Sequence, residues 1–339
     1  MRTTTTLLLT LALAITLQAC GDKDDTAPPE GDTDTDTDTD TDTDTDADGD
    51  TDADTDADTD ADTDTDTDPQ DSVYNDVAVG GSHSCARYVE SGKAVCWGDD
   101  SFGQATPSTR YELGTLHAGA DFSCAGHEGG AVCWGSDAYG QDGGTGYAGS
   151  VRDAGGQHAC AESRGELLCW GRNDHGQTDT PRIDGEIEGY QYATVVLGDS
   201  HTCGLLDDGT VECWGLDSDG SVSDVPADTF ISITAGADHS CGITSLGSTL
   251  CWGGDTDGQS SPPETTFAEL DAGDHFTCGI TSAGGVLCWG LDSHGQSNPP
   301  AIENATRVDT SIDGAHACAL HGVEITCWGQ NDAGQTDVP

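Results

Sequence analysis

The chain is 339 residues long and carries 63 Asp and Glu against 10 Lys and Arg, a formal net charge of −53 at pH 7. So acidic a chain lacks the basic surface that releases counterions from DNA, RNA or anionic lipid, which excludes those partners and favours cations or basic proteins. Of the acidic residues, 24 lie in 21–71, which leaves about −31 on residues 72–339.

Residues 1–19 have the form of an export signal. Arg2 gives a short positive start, and LLLTLALAITL (7–17) is apolar but too short to cross a bilayer as a helix. Leu17-Gln18-Ala19-Cys20 resembles the processing box of bacterial lipoproteins, in which the cysteine becomes the lipidated first residue. The expectation is an exported chain, anchored through lipid on Cys20 to the bacterial cell envelope, at the outer membrane or cell surface. The lipid is then its only membrane contact; several acyl chains anchor stably where one does not.

Residues 20–71 read as a disordered tether. Every even position from Asp32 to Asp68 is Asp, alternating with Thr, Ala or one Gly. Such a tract has nothing to bury and repels itself into an extended stalk. The stretch DTDADGDTDADT (44–55) imitates a calcium loop as far as Gly49, yet Thr55 stands where a bidentate Glu belongs. Weak Ca2+ association with the tether is the only cofactor expectation.

From 72 to 339 the sequence is one periodic object. Cys-Trp-Gly recurs seven times, with Trp at 97, 134, 170, 214, 252, 289 and 328. A period of roughly 40 residues signals a solenoid or a propeller. Abundant Gly and the lack of a helical apolar face exclude helical solenoids, and short β-branched runs between Gly, Asp and Ser clusters read as strands. The expected fold is all-β, a seven-bladed β-propeller with about four antiparallel strands per blade.

Each Cys-Trp-Gly cysteine has a partner upstream. The pairs are Cys85 and Cys96, Cys124 and Cys133, Cys160 and Cys169, Cys203 and Cys213, Cys241 and Cys251, Cys278 and Cys288, and Cys318 and Cys327. If each pair lies opposite across a hairpin, the loops left between them are short and all contain Gly, such as Asp207-Asp208-Gly209 and Arg164-Gly165. Every pair then falls on the non-hydrogen-bonded type, where Cα atoms come close enough for a disulfide. One intra-blade disulfide per repeat follows, in keeping with export. The rival is metal, because His83, His158, His201, His239 and His316 each stand two residues before a cysteine. Phe122 and Phe276 fill that place in the other two repeats, and Phe ligates nothing. No metal is expected.

After each Trp-Gly comes a regular turn, from DDSFGQ (99–104) to QNDAGQ (330–335). Its Gly is constant, its Gln fails only at Ser221, and Asp or Asn stands third after Trp, suited to a side-chain-to-backbone turn. The residue before the Gly varies: Phe102, Tyr139, His175, Asp219, Asp257, His294 and Ala333. A constant turn displaying a changing side chain reads as a presentation surface. Two irregular segments, 142–150 and 178–192, add Tyr147, Tyr190 and Tyr192 as candidate aromatic anchors.

The pattern AG-x-x-H-[ST]-C-[AG]-[LI]…CWG-x-[DN]-x-x-GQ, clearest at 235–259, resembles the regulator of chromosome condensation repeat over roughly 73–339. The resemblance implies a seven-bladed propeller, and the short blades look like the bacterial branch that includes β-lactamase inhibitory protein II. In that inhibitor one loop face binds the target enzyme, which makes the variable turn residues the analogous candidates here. The family founder's nucleotide exchange and chromatin contacts do not carry over to an acidic, exported chain. The expectation is a non-catalytic, monomeric binding module for a protein or glycan ligand. The alternatives are a structural envelope protein and, further off, a hydrolase with carboxylates in the propeller channel.

Overall fold

A computed structural model of the protein describes residues 73–144, 149–181, 192–217 and 219–339. The export signal, Cys20, the tether with its calcium-like stretch, Tyr147 and Tyr190 lie outside the described residues.

Seven antiparallel sheets succeed one another along the chain, each in sequence order. The first is β1 (Tyr74–Val79), β2 (His83–Tyr88) and β3 (Ala94–Gly98). Then come β4 (Leu116–Ala118), β5 (Phe122–His127), β6 (Gly130–Gly135); β7 (Ser150–Ala154), β8 (His158–Ser163), β9 (Glu166–Gly171); and β10 (Tyr192–Leu197), β11 (His201–Leu206), β12 (Val211–Gly215). The last nine are β13 (Phe230–Ala235), β14 (His239–Thr244), β15 (Thr249–Gly253); β16 (Phe267–Ala272), β17 (Phe276–Thr281), β18 (Val286–Gly290); and β19 (Ala305–Thr310), β20 (His316–His321), β21 (Glu324–Gly329). A 3-10 turn, Gln141–Gly144, interrupts the pattern.

The seven sheets fit a seven-bladed propeller, with one correction: a blade has three strands, not four. The residues that a fourth strand would need are spent on the turn after Trp-Gly and on the connection to the next blade. Those connections include SSPPE (260–264) and SNPPA (297–301), and proline has no N–H to give a ladder.

Each hairpin is stapled as its spacing requires. All seven disulfides form, joining directly opposed residues with Cα atoms 4.0–4.1 Å apart. Gly209 closes its three-residue loop at φ 86°, and Arg164-Gly165 turns with both residues at positive φ. These are the backbone shapes that suit the right-handed twist of a hairpin.

The blades are joined by side chains that reach from one repeat to the next. All seven Trp indoles donate to the backbone carbonyl of the turn Gln, or Ser221, of the preceding repeat at 2.8–3.0 Å. For Trp97 that carbonyl belongs to Gln335, so the last sheet meets the first, and Tyr74 OH donates to the Pro339 carbonyl at 3.2 Å. Losing a buried partner of this kind costs about 1–3 kcal/mol.

A second seam runs through the histidines. His83 Nε2 meets Ser123 Oγ, His158 meets Thr202, His201 meets Ser240, His239 meets Thr277 and His316 meets Ser84, at 2.7–3.0 Å. Ser84, Thr202 and Thr277 each spend their hydroxyl proton on the Gln carbonyl of the preceding repeat. At those three seams the imidazole therefore donates from Nε2. Where the histidine is replaced, its partner changes too: Phe122 faces a next repeat bearing Ala159, and Phe276 one bearing Ala317. A hydroxyl there would be buried against a ring that offers no N–H donor, so the pair changes together.

Candidate binding surface

Each turn begins beside the connection between its blade's first and second strands. Asp99 N donates to the Ser82 carbonyl, Ser136 to Asp121, Arg172 to Gln157, Leu216 to Ser200, Gly254 to Asp238, Leu291 to His275 and Gln330 to Ala315, at 2.7–2.9 Å. The turns and the inner connections therefore share one face of the propeller.

The turn is built twice over. The Asp or Asn third after Trp accepts a backbone N–H five residues on in every repeat, at 2.9–3.1 Å. The Gln, buried in all six repeats that have it, turns its Oε1 back to accept the N–H of the displayed residue at 2.7–3.0 Å. The glycine between them sits near φ 80° throughout, a conformation L side chains rarely adopt. In the fourth repeat Ser221 replaces Gln, and its hydroxyl donates to the Leu216 carbonyl instead.

What this frame displays is exposed at all seven positions. Phe102 and Tyr139 stand 57% and 45% exposed on consecutive blades. Arg172 of the third blade lies over the Tyr139 ring, 5.4 Å from its centroid, while Nε binds Asp174 and Nη1 reaches Gln157 Oε1. His175, Asp219 and His294 are also displayed, and Asp257 lies 3.8 Å from His275 Nδ1. His275 Nδ1 is also 3.5 Å from Asp238, so acid and imidazole meet across the seam between the fifth and sixth blades.

Tyr192 is a correction. It is 5% exposed, its ring tilted against Trp214 at 5.8 Å and its OH donating to Glu212 at 3.2 Å. It occupies the place of Phe230 and Phe267, which meet Trp252 and Trp289 in the same way. Segment 142–150 contributes the end of the 3-10 turn and the first residue of β7.

Toward the centre the face is crowded with carboxylates. Burial, then the charges of Asp199, Asp274 and Asp121, push the Asp313 carboxyl up to about 6. Deeper, among the first strands, lies a cavity of about 190 Å3 lined in part by Arg152, Asp153, Asp271, Arg307 and Asp309. These acids are occupied. Asp153 takes the Leu197 N–H at 2.8 Å, Asp309 the Val79 N–H at 2.8 Å, and Asp271 both the N–H and the hydroxyl of Thr310 at 2.6 and 2.7 Å. Asp76 and Glu269 likewise accept from Leu116 and Val308, and Arg307 bridges Asp76 and Asp309 at 2.9 and 3.3 Å. Every acceptor sits on one blade and every backbone donor on the next, so the channel carboxylates serve the open inner edges of the first strands. Burial pushes Asp271 up to about 7, and burial with the Asp271 charge raises Asp309 as well. Among the described residues no three or more His, Cys, Asp or Glu are placed to hold a metal ion.

The partners of the seam histidines and the channel acids go unseen when the sequence is read by motif. A signal for the histidine partners is present, in the matched His–Ser/Thr and Phe–Ala pairs of neighbouring repeats. The channel acids emerge only once the first strands are known to line a channel.

A family profile described as regulator of chromosome condensation (RCC1) repeat matches residues 75–104, 192–221, 230–259 and 267–296. Among solved structures, the entire ectodomain of the Physcomitrella patens receptor kinase CR4 is similar at 28% identity and a TM-score of 0.61, over 76% of this chain and 73% of its own. The CRINKLY WD40 ectodomain of the Arabidopsis thaliana receptor kinase ACR4 is similar at 25% and 0.63, over 76% and 97%. Prp20p of Saccharomyces cerevisiae, described with its binding to Gsp1p and histones, shares the fold at 17% and 0.58, over 76% and 82%. No curated protein matches the chain in sequence.

Proposed function

We propose that this chain, a protein of regulator of chromosome condensation repeats, is an exported, non-catalytic binding module whose turn face holds a protein or glycan ligand. The observation that carries the reading is the turn itself: a frame, doubly pinned wherever it has its Gln, that presents exposed Phe, Tyr, His, Asp or Ala from the same position. The frame also serves packing, since its Gln carbonyl takes the next blade's indole, but packing does not call for the exposed residue it carries to change.

Export is supported by seven disulfides and by the likeness to receptor ectodomains. Anchoring through lipid on Cys20, with 20–71 as the spacer, completes the proposal. Incorporation of labelled fatty acid, abolished by Cys20→Ala, is its expected signature. The hydrolase alternative is disfavoured because the channel carboxylates are committed to backbone donors of the next blade.

The test is retention. The oxidised chain, immobilised and washed at moderate salt to strip basic proteins held by charge alone, is exposed to extracts and read by mass spectrometry. The expected result is one retained species, lost when Phe102, Tyr139 and His175 are changed to Ala together. Retention of nothing beyond salt-sensitive basic proteins supports the structural alternative.

A further inference from the structure

Phe102 and Tyr139 hold the same place in consecutive repeats, yet only one of them is covered. The Tyr139 ring lies under the guanidinium of Arg172, which comes directly after Trp170-Gly171 of the next blade. The residue in that place for Phe102 is Ser136, directly after Trp134-Gly135. The two placements match in detail. Ser136 N and Arg172 N each donate to the inner connection of their own blade at 2.9 Å. Trp134 Nε1 and Trp170 Nε1 hold the preceding turn by the Gln104 and Gln141 carbonyls at 2.9 and 2.8 Å. A serine hydroxyl cannot reach where a guanidinium does, and among the described residues no cation is stacked on Phe102.

The turn that carries that ring is acidic and ordered. Asp99 precedes it by three residues, its carboxylate held by Gln104 Nε2 and Ser101 Oγ at 2.9 and 2.8 Å. Asp100 is fixed by the Ala105 N–H and the Thr106 hydroxyl, and Asp137 opens the next turn directly after Ser136. A ring face carries negative potential, and fixed carboxylates nearby deepen it. The geometry points to Phe102 as the receptor for a cationic side chain, an arginine or lysine supplied by a protein partner where the third blade supplies Arg172 to Tyr139.

This rests on the turn face being a binding surface and names what it recognises. Charge complementarity selects the occupant: a neutral sugar ring could stack on Phe102 and donate hydroxyls to carboxylates, but it brings no positive charge to offset Asp99, Asp100 and Asp137.

The chain has five phenylalanines. Phe122, Phe230, Phe267 and Phe276 are buried, so Phe102 alone is exposed. Full-length chain labelled with 4-fluorophenylalanine gives a 19F resonance for Phe102, assigned with Phe102→Leu. It is titrated with acetyl-Gly-Arg-Gly-amide and with the neutral norleucine analogue. The expected result is a saturable shift of that resonance, with the arginine peptide about two- to five-fold tighter. Ser136→Arg should move the resonance by itself and abolish the peptide's effect. Equal affinity for the two peptides, no shift, or an undiminished shift in Ser136→Arg overturns the inference.

The retention experiment separates this from the broader reading. A partner retained by wild type and equally by Ser136→Arg removes the cation site and leaves the binding module standing. A successful peptide titration with no partner retained removes the module and leaves the site.

Discussion

The seams between blades and the turns on the face use variation in opposite ways. At a seam, a change in one repeat is answered in the next: His158 with Thr202, but Phe122 with Ala159. At a turn, the displayed residue runs through Phe102, Tyr139, His175, Asp219, Asp257 and His294, and although Arg172 covers Tyr139 and His275 lies beside Asp257, no pairing of residue types recurs from blade to blade. Compensated variation is how packing is preserved. Uncompensated variation on a rigid frame leaves the side chain free to answer to something outside the molecule. Function in a repeat protein can therefore reside where variation goes unanswered, and that distinction can be broken from either side.

The largest expected effect is on the seam side. Each disulfide closes a loop of nine to eleven residues, worth about 2–3 kcal/mol in the chain-entropy model, and Cys85, Cys203 and Cys241 lie within 3.9 Å of the next blade's seam hydroxyl. Full reduction should lower the denaturant midpoint, read by tryptophan fluorescence, far more than any single substitution. Reduced chain that unfolds at the oxidised midpoint would mean the strands alone carry the fold.

Next comes the pair itself. His158→Phe leaves the Thr202 hydroxyl buried without its imidazole donor and should cost about 1–3 kcal/mol. Adding Thr202→Ala reproduces the Phe–Ala pairs that already exist and should recover most of the loss. A double-mutant cycle measures the coupling, and additivity within experimental error would show that the pairs are coincidence.

The same seams predict a pH effect. Burial lowers His83 and His201 to about 4, and His158 and His316 to about 3. These histidines are neutral when folded and protonate near 6.5 when unfolded, so the unfolded chain binds more protons and stability is lost as pH falls from about 6.5 toward 4. Asp271, raised to about 7, acts the other way. It is protonated when folded and ionised when unfolded between about 4 and 7, so its contribution falls as pH rises through that window. Asp271→Asn should therefore steepen the rise of melting temperature from pH 4 to 7. The double variant at 158 and 202 should flatten it. An unchanged profile in both would mean the titrating groups lie elsewhere.

Much of this is legible in the sequence because it repeats. Cysteine spacing locates the hairpins and their register, and the constant Gly and Gln mark the turn. The expectation of a fourth strand rests on length alone, and Pro262-Pro263 and Pro299-Pro300 argue against it. Tyr192 reads as a surface anchor because it borders an irregular connection. Aligned instead with Phe230 and Phe267, it falls on a core position. Asp271 and Asp309 cannot be placed from spacing, since their partners are backbone N–H groups of another blade.

The smallest expected effect on stability is also the one that bears most on function. Among the described residues no cation stacks on the Phe102 ring, and its backbone is held by Gln104 whatever side chain it carries. Phe102→Ala should therefore change stability by less than about 0.5 kcal/mol. Tyr139→Ala should cost slightly more, because it frees Arg172 from a ring it covers. Both should weaken ligand retention while melting as wild type does. A substitution that removed binding only by unfolding the blade would place the turns with the seams and erase the distinction between them. The pinned Gln makes the opposite expectation concrete: Gln104→Ala should disturb the turn and binding together, whereas Phe102→Ala should leave the frame intact and empty.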